Sequence, residues 1–225
     1  MSTTFETTGH KEVFKAIHRS QHCQRNFDLT KEIPQADLEL LKVAATQCPS
    51  KQNQAHYRVH FITNRDVIEK IYAQTDGFTV SRNPDGTLIA NVHGKETIPN
   101  TQVLANLLVV LEDYEKRPMF ANFIAKDVTN HKKAEAVKMF DRNVAVGIAA
   151  GYLNLTASML GYGTGCCSCM NHAAIKEILG FTGEPLLLMG IGYKDPSRNR
   201  RESQVDETFM FPTKKKQDIE VKIWN

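Results

Sequence analysis

The sequence predicts a domain of mixed class, α/β or α+β, in which helices and strands interleave along one chain. Three observations predict it. Two runs, VLANLLVVLED and PLLLMGIGY, are almost unbroken in apolar residues, as strands covered on both faces are. A third run, YRVHFITN, alternates with period two and puts Tyr57, Val59 and Phe61 on one face. The stretch DRNVAVGIAAGYLNLTASMLGYGTGCCSCM, Asp141 to Met170, is small or apolar on every side from Val144 to Leu160, with Asn154, Thr156 and Ser158 as mild exceptions. It carries no charged stripe, so it reads as a core helix buried all round.

The elements follow in order. Thr8 to His18 is predicted as a helix with Val13, Phe14 and Ile17 on one face. The polar, basic stretch RSQHCQRNFD follows, closed by Phe27. Pro34 opens a second helix, with Leu38, Leu41, Val43 and Ala45 inward, because proline suits a first helical turn. Cys48-Pro49 ends it, since the residue before proline is pushed out of the helical region. After the loop SKQNQAH and the alternating strand, Arg65 to Ala73 reads as helix with Val67, Ile68 and Ile71 inward. Asp76 to Pro99 is an irregular excursion with a turn at Asn83-Pro84-Asp85-Gly86 and room for a hairpin.

Beyond the first apolar run, Tyr114 to Lys138 is predicted as a loop and then a helix leading into the central one, which Asp141 or Asn143 would cap. The central helix should stop near Gly161 and pass into a turn rich in glycine and cysteine. A short helix, AAIKEILG, ends at Gly180, and PLLLMGIGY forms the next strand. KDPSRNRRESQVDE is a basic loop, and Ile219, Val221 and Ile223 alternate as in a final strand. The total is about four strands. A helix apolar on all sides needs more cover than this length readily supplies, and a dimer interface would provide it.

At 225 residues, with 41% hydrophobic and 24% charged residues, the composition is that of a soluble globular protein. The net charge of +3 is too balanced to argue for nucleic acid. The first residues lack a basic start followed by an apolar run, so no signal peptide is expected, nor a membrane span. Five cysteines, three of them within Cys166–Cys169, argue against a secreted disulfide framework and for the cytoplasm.

Three polar clusters could carry chemistry. They are Gln21, His22, Cys23 and Arg25 beside Phe27; Ser50, Lys51, Gln52 and Asn53; and Arg198, Arg200 and Arg201. Guanidinium forks match phosphate oxygens, and Ser and Asn offer compact donors and acceptors for a polar ring edge. Together they suit a ligand with an anionic end and a heteroaromatic end. The competing readings are a solvated loop for the arginines and a plain helix-ending loop for Ser50–Asn53. Cys-Cys-x-Cys with His172 nearby could hold metal, but zinc sites usually pair two such elements. Small residues packing against a ring, or redox-active thiols, are the other readings of that turn.

These motifs, QHCQRNFD, AATQCPSKQNQAHYRVHFIT, the small-residue helix ending MLGYGTG, LLLMGIGY and RNRRES, resemble the nitroreductase family of FMN-dependent oxidoreductases. The match runs in order from about Val13 to Glu207. The resemblance implies an α+β fold, a central, mostly antiparallel sheet wrapped by helices. Residues 1–225 would form one FMN-binding domain, with 206–225 a C-terminal extension packing on the partner subunit of a homodimer.

The resemblance also implies site residues. The family's first motif is R-x-S-x-R/K-x-F, where this sequence has Gln21, His22, Cys23, Gln24, Arg25, Asn26 and Phe27. Arg25 then stands near the pyrimidine edge of the flavin, where positive charge favours the reduced ring. Gln21 and Cys23 replace the usual phosphate-binding arginine and serine; a gapped match would use Arg19 and Ser20. Ser50 and Asn53 match residues that bond the ring, with Lys51 a further contact. Asn100 and Gln102 fall where polar contacts to the ring are common. Cys169 lies where the backbone donates to flavin N5, and Arg200 and Arg201 match phosphate contacts. The implied activity is ping-pong transfer of electrons from NAD(P)H through FMN to a nitroaromatic, quinone or similar acceptor. Phe78–Pro99 and Met119–Phe123 would line the acceptor side, with Phe120 and Phe123 as lids. No catalytic side chain and no metal are implied. A flavin-binding or thiol/metal protein of the same fold without turnover is the alternative.

Overall fold

The structure is a computed structural model that describes residues 7–114, 131–212 and 216–224. Its elements are α1 (Thr8–Ser20), α2 (Gln35–Thr46), a 3-10 turn at Lys51–Asn53, β1 (Tyr57–Ile62), α3 (Arg65–Tyr72), β2 (Phe78–Arg82), β3 (Leu88–Ala90), β4 (Glu96–Ile98), a second 3-10 turn at Thr101–Val103, β5 (Leu107–Asp113), α4 (His131–Met159), β6 (Gly163–Cys167), α5 (His172–Leu179) and β7 (Pro185–Gly192). This is the α+β class, with every strand pair antiparallel.

β1, β5, β7 and β6 form the main sheet in that order. The pleat sends alternate residues of β5 to opposite faces. Leu108 and Val110 join Ile68, Ile71, Ile175 and Leu188 in a core under α3 and α5. Leu107 and Val109 join Leu41, Leu153, Ala157 and Met189 under α2 and α4. Helices therefore cover both faces, which explains why β5 and β7 read as unbroken apolar runs.

Several expectations are corrected. Asp76–Pro99 holds the expected hairpin, β2 and β3 joined across the Asn83–Gly86 turn, and β4 pairs with the other side of β2 to complete a second sheet, ordered β3-β2-β4, where an irregular excursion was expected. Its apolar face, Val80, Leu88 and Ile98, packs on Phe209 and Phe211, so the chain near 210 packs on its own body. Val43 is exposed, and Ala44 and Ala45 take the inward positions of α2 beside Leu41. α4 begins at His131, so Asp141 lies inside the helix and caps nothing. Within one chain α4 buries only one face: Ala145, Ala149, Leu153 and Ala157 are covered, while Phe140, Val144, Tyr152 and Met159 are exposed. The glycine and cysteine stretch is not a turn but the edge strand β6, whose extended backbone presents Cys166 outward and buries Cys167. Residues 216–224 form no strand, and Ile219, Val221, Ile223 and Trp224 stand exposed. Phe120 and Phe123, the expected lids, lie outside the described residues.

Other signals hold. α5 ends at Gly180, whose φ of 64° is the left-handed cap that glycine adopts without penalty. In β7 the absence of a side chain at Gly190 admits the backbone of the second 3-10 turn: a Cβ there would stand 1.9 Å from the carbonyl oxygen of Gln102. This close approach fixes Gln102 and its neighbour Asn100 against the sheet. At the other end of β5, Glu112 is fully buried. Its carboxylate accepts from the Gly183 N–H at 2.8 Å, lies 2.8 Å from His60 Nε2 and stands 3.6 Å from Arg58.

Candidate functional site

α1 ends with Gln21 as its C-cap, and the chain then runs extended along the outer edge of β6. Cys23 bridges Thr164, and the Gln24 N–H donates to the Thr164 carbonyl at 2.7 Å. The 199–202 turn closes over this segment: Arg25 N–H donates to the Arg200 carbonyl at 3.0 Å, and Arg200 Nη1 to the Cys23 carbonyl at 3.2 Å. Two stretches some 175 residues apart in sequence thus meet in one cleft.

That cleft has a volume of about 570 Å³ and is lined by Gln21, His22, Cys23, Arg25, Arg200, Arg201, Pro212 and Lys216. The volume suits a small-molecule ligand. Among the described residues, none of Arg25, Arg200, Arg201 or Lys216 takes part in an ion pair. Arg25 is the anchored member. Its Nη1 donates to Asn100 Oδ1 at 3.1 Å, and its guanidinium lies 4.2 Å from the Phe211 ring centre and 6.0 Å from that of Phe78. Asn100 Nδ2 in turn donates to Gln102 Oε1 at 2.9 Å, and Gln102 is held by the approach at Gly190. Burial draws the Arg25 pKa below its usual value, yet a guanidinium keeps its charge.

The cysteines divide by strand parity. Cys166 keeps part of its surface exposed on the outer face of β6, yet the protein packed around its sulfur, with the neighbouring thiols of Cys23 and Cys167, pushes the thiol up to about 12. Burial likewise raises Cys167, whose Sγ donates to the Cys169 carbonyl at 3.3 Å. Neither is a ready thiolate. Because β6 sends Cys166 and Cys167 to opposite faces, the run does not converge on an ion. Among the described residues, no group of three or more His, Cys, Asp or Glu side chains could hold a metal. Cys169 is exposed and does not line the cleft; its carbonyl accepts the Asp76 N–H at 2.9 Å and ties β6 to the second sheet.

Ser50, Lys51 and Asn53 lie elsewhere. They precede β1, the opposite edge strand, near its start, where Tyr57 pairs with Asp113 at the far end of β5. Cys23 meets β6 near Thr164, which is in register with Ile191 and, through it, with Leu107 at the near end. The two groups occupy diagonal corners of the sheet, on the order of 20 Å apart from strand spacing and rise. One chain does not bring them together. Their loop is tightly built: Ser50 Oγ accepts the Ala55 N–H at 2.8 Å, and Lys51 Nζ lies 2.6 Å from Asp141 Oδ2. Asn53, Ala55 and His56 have φ of 54°, 59° and 58°. Left-handed conformations at non-glycine residues cost on the order of 1 kcal/mol each and concentrate at functional sites.

Sequence reasoning missed Phe211 beside Arg25, Lys216 at the cleft, and Asp141 as the partner of Lys51, while Phe78, expected on the acceptor side, lies near the Arg25 guanidinium. Phe211 meets Arg25 only through the folded chain, and Lys216 is one of three adjacent lysines with nothing local to distinguish it.

Among the described residues, no helix is long and apolar enough to cross a membrane. The family model described as the nitroreductase family matches residues 18–193. No curated protein sequence matches the chain. Among solved structures, a putative nitroreductase from Bacillus subtilis superposes with a TM-score of 0.60 at 15% identity, covering 84% of this chain and 92% of that one. A nitroreductase family protein from Clostridium novyi NT gives 0.56 at 16% identity, over 84% and 89%. An FMN-dependent nitroreductase from Clostridium difficile R20291 gives 0.50 at 16% identity, over 79% and 85%. At these identities the superpositions speak for the fold.

Proposed function

The chain belongs to the nitroreductase family, and on that premise we propose that it is an FMN-dependent oxidoreductase passing electrons from NAD(P)H to a small acceptor such as a nitroaromatic or a quinone. The observation that carries this reading is the cleft at Gln21–Arg25, where Arg25, Arg200, Arg201 and Lys216 converge and, among the described residues, none of them forms an ion pair with a carboxylate. Such a cleft fits a ligand with a phosphate at one end and a polar ring at the other. The FMN-dependence of a structural relative supports the same assignment.

When bound, FMN would supply the hydride chemistry. The chain supplies binding and charge. Arg200, Arg201 and Lys216 would hold the phosphate, with Gln21, His22 and Cys23 beside them. Arg25, fixed by Asn100 and stacked on Phe211, presents a permanent positive charge to the polar edge of the ring. Such preorganised charge favours whichever state places more negative charge next to it.

Ser50, Lys51 and Asn53 join this site only if a second copy supplies them. The exposed apolar residues of α1 and α4, Val13, Phe14, Ile17, Val144, Tyr152 and Met159, together with Ile219, Val221, Ile223 and Trp224 of the tail, support a homodimer that covers them. Five free thiols support a cytoplasmic location.

The test is steady oxidation of NADPH by the purified protein with menadione or nitrofurazone as acceptor. Turnover supports the reading. Bound flavin that stays oxidised in the presence of NADH and NADPH would favour a flavin-binding protein without reductase activity.

A further inference from the structure

The cationic surface continues beyond the cleft. Lys194 lies along the same edge of the sheet: its Cγ is 3.1 Å from where a Cβ on Gly163 would stand, and the Gln24 side chain covers the same glycine at 3.0 Å. Next along the edge are Thr164 with Cys23, and then Arg200. Arg19, in the last turn of α1, precedes Ser20, whose carbonyl accepts from Asn154 Nδ2 at 2.9 Å; Asn154 Oδ1 accepts from the Thr164 hydroxyl at 2.5 Å, so the end of α1 sits against the same edge, where Lys194 bridges Phe27. Burial lowers the pKa of Lys194, and Arg19 lowers it further; burial lowers that of His22, with Arg200, His18 and Lys194 adding to it. Among the described residues no ion pair engages Arg19 or Lys194 either.

A basic residue in the last turn of a helix is ordinarily answered by the helix dipole. That accounts for Arg19 alone, because Lys194 comes from the segment after β7. One phosphomonoester carries at most about −2. The cleft itself already offers Arg25, Arg200, Arg201 and Lys216 to the cofactor's phosphate and ring edge. The rim of Arg19 and Lys194 is left to serve a second anion.

We propose that Arg19 and Lys194, beside His22, form an outer phosphate subsite that takes the 2′-phosphate of NADPH and so selects it over NADH. The proposal rests on the oxidoreductase reading above, and it names the reductant for the same site. Arg19 and Lys194 are specificity-determining residues here and take no part in the chemical step.

The experiment uses the 225-residue chain with its flavin. Binding of adenosine 2′,5′-bisphosphate is compared with binding of adenosine 5′-monophosphate by calorimetry. The kcat/KM values for NADPH and NADH are measured in parallel for the wild type, Lys194→Gln and Arg19→Gln, with flavin content as a control. The wild type should bind the bisphosphate at least about tenfold more tightly and prefer NADPH. Each variant should lower the NADPH-to-NADH ratio of kcat/KM by roughly tenfold, with flavin content kept. Equal binding of the two nucleotides by the wild type would overturn the proposal. So would variants that weaken both nucleotides alike, or that lose flavin, which would assign these cations to the cofactor's own phosphate. Selective binding of the bisphosphate without turnover of either dinucleotide would remove the oxidoreductase reading and leave the subsite standing.

Discussion

Replacing Glu112 with alanine should destabilise the chain by about 3 kcal/mol, the low end of what breaking a buried ion pair costs. The carboxylate is wholly enclosed, and three groups converge on it: the Gly183 N–H, His60 and Arg58. His60 and Arg58 keep 26% and 42% of their side-chain surface exposed, so water can take over part of their solvation. The Gly183 N–H has less recourse, and a stranded buried donor costs about 1–3 kcal/mol. The cavity left by the missing side chain adds to this. For a chain of this size the effect corresponds to a fall in Tm on the order of 10 °C. Chemical denaturation of wild type and variant measures it.

The same group sets a pH dependence. Burial raises the Glu112 pKa, but the Gly183 N–H, His60 and Arg58 outweigh it and hold the carboxyl below its ordinary value of 4.5. The folded pKa is depressed, so the stabilisation is fully present above pH 4.5 and is lost as pH falls through the folded value. Glu112→Gln keeps the shape and an acceptor for Gly183 but cannot titrate. Its stability should fall less steeply below pH 4.5 than that of the wild type, and parallel curves would remove Glu112 from the acid response.

Arg25→Ala should weaken FMN binding by roughly 10- to 100-fold, the range for loss of a hydrogen bond to a charged partner. Arg25 sits where the cleft meets the second sheet. It joins Asn100 on one side and the Phe211 ring on the other, and among the described residues no carboxylate pairs with it. The fold should survive the change, because Asn100 still accepts from the Gln102 N–H at 3.2 Å and donates to its side chain. Arg25→Lys keeps the charge but loses the planar fork and its stacking, and should give an intermediate affinity. Flavin affinity is read by titration of the apoprotein, with the urea midpoint as a check on folding. Unchanged affinity in Arg25→Ala would take Arg25 out of the site.

The parts of the fold that were legible in sequence are those where one local pattern decides the environment. β5 and β7 show as apolar runs because helices cover both faces, and α5 shows through its terminal Gly180. The start of α4 was hidden because His131–Lys138 is polar, so only the apolar half of the helix announced itself. Val43 suggests burial by its β-branched apolar character, whereas the helical period turns it to the surface and puts Ala44 and Ala45 inward. The cysteine stretch looked like a turn from its glycines, yet pairing with β7 holds it extended. At the site, the Gln21–Arg25 motif and Arg200–Arg201 were legible as separate segments, and the fold joins them. Ser50–Asn53 was equally legible, but its corner of the sheet is a matter of topology. The stacking of Phe211 on Arg25 spans residues too distant in sequence to leave any local trace.

The most direct test of the FMN assignment is the visible absorption spectrum of the purified protein, with any chromophore released by heat identified by chromatography. A yellow protein that releases about one FMN per chain is expected, a stoichiometry set by the Gln21–Arg25 cleft of each chain. A colourless protein that takes up no added FMN would contradict it. Gln21 and Cys23, in place of arginine and serine, would then have cost the cleft its cofactor.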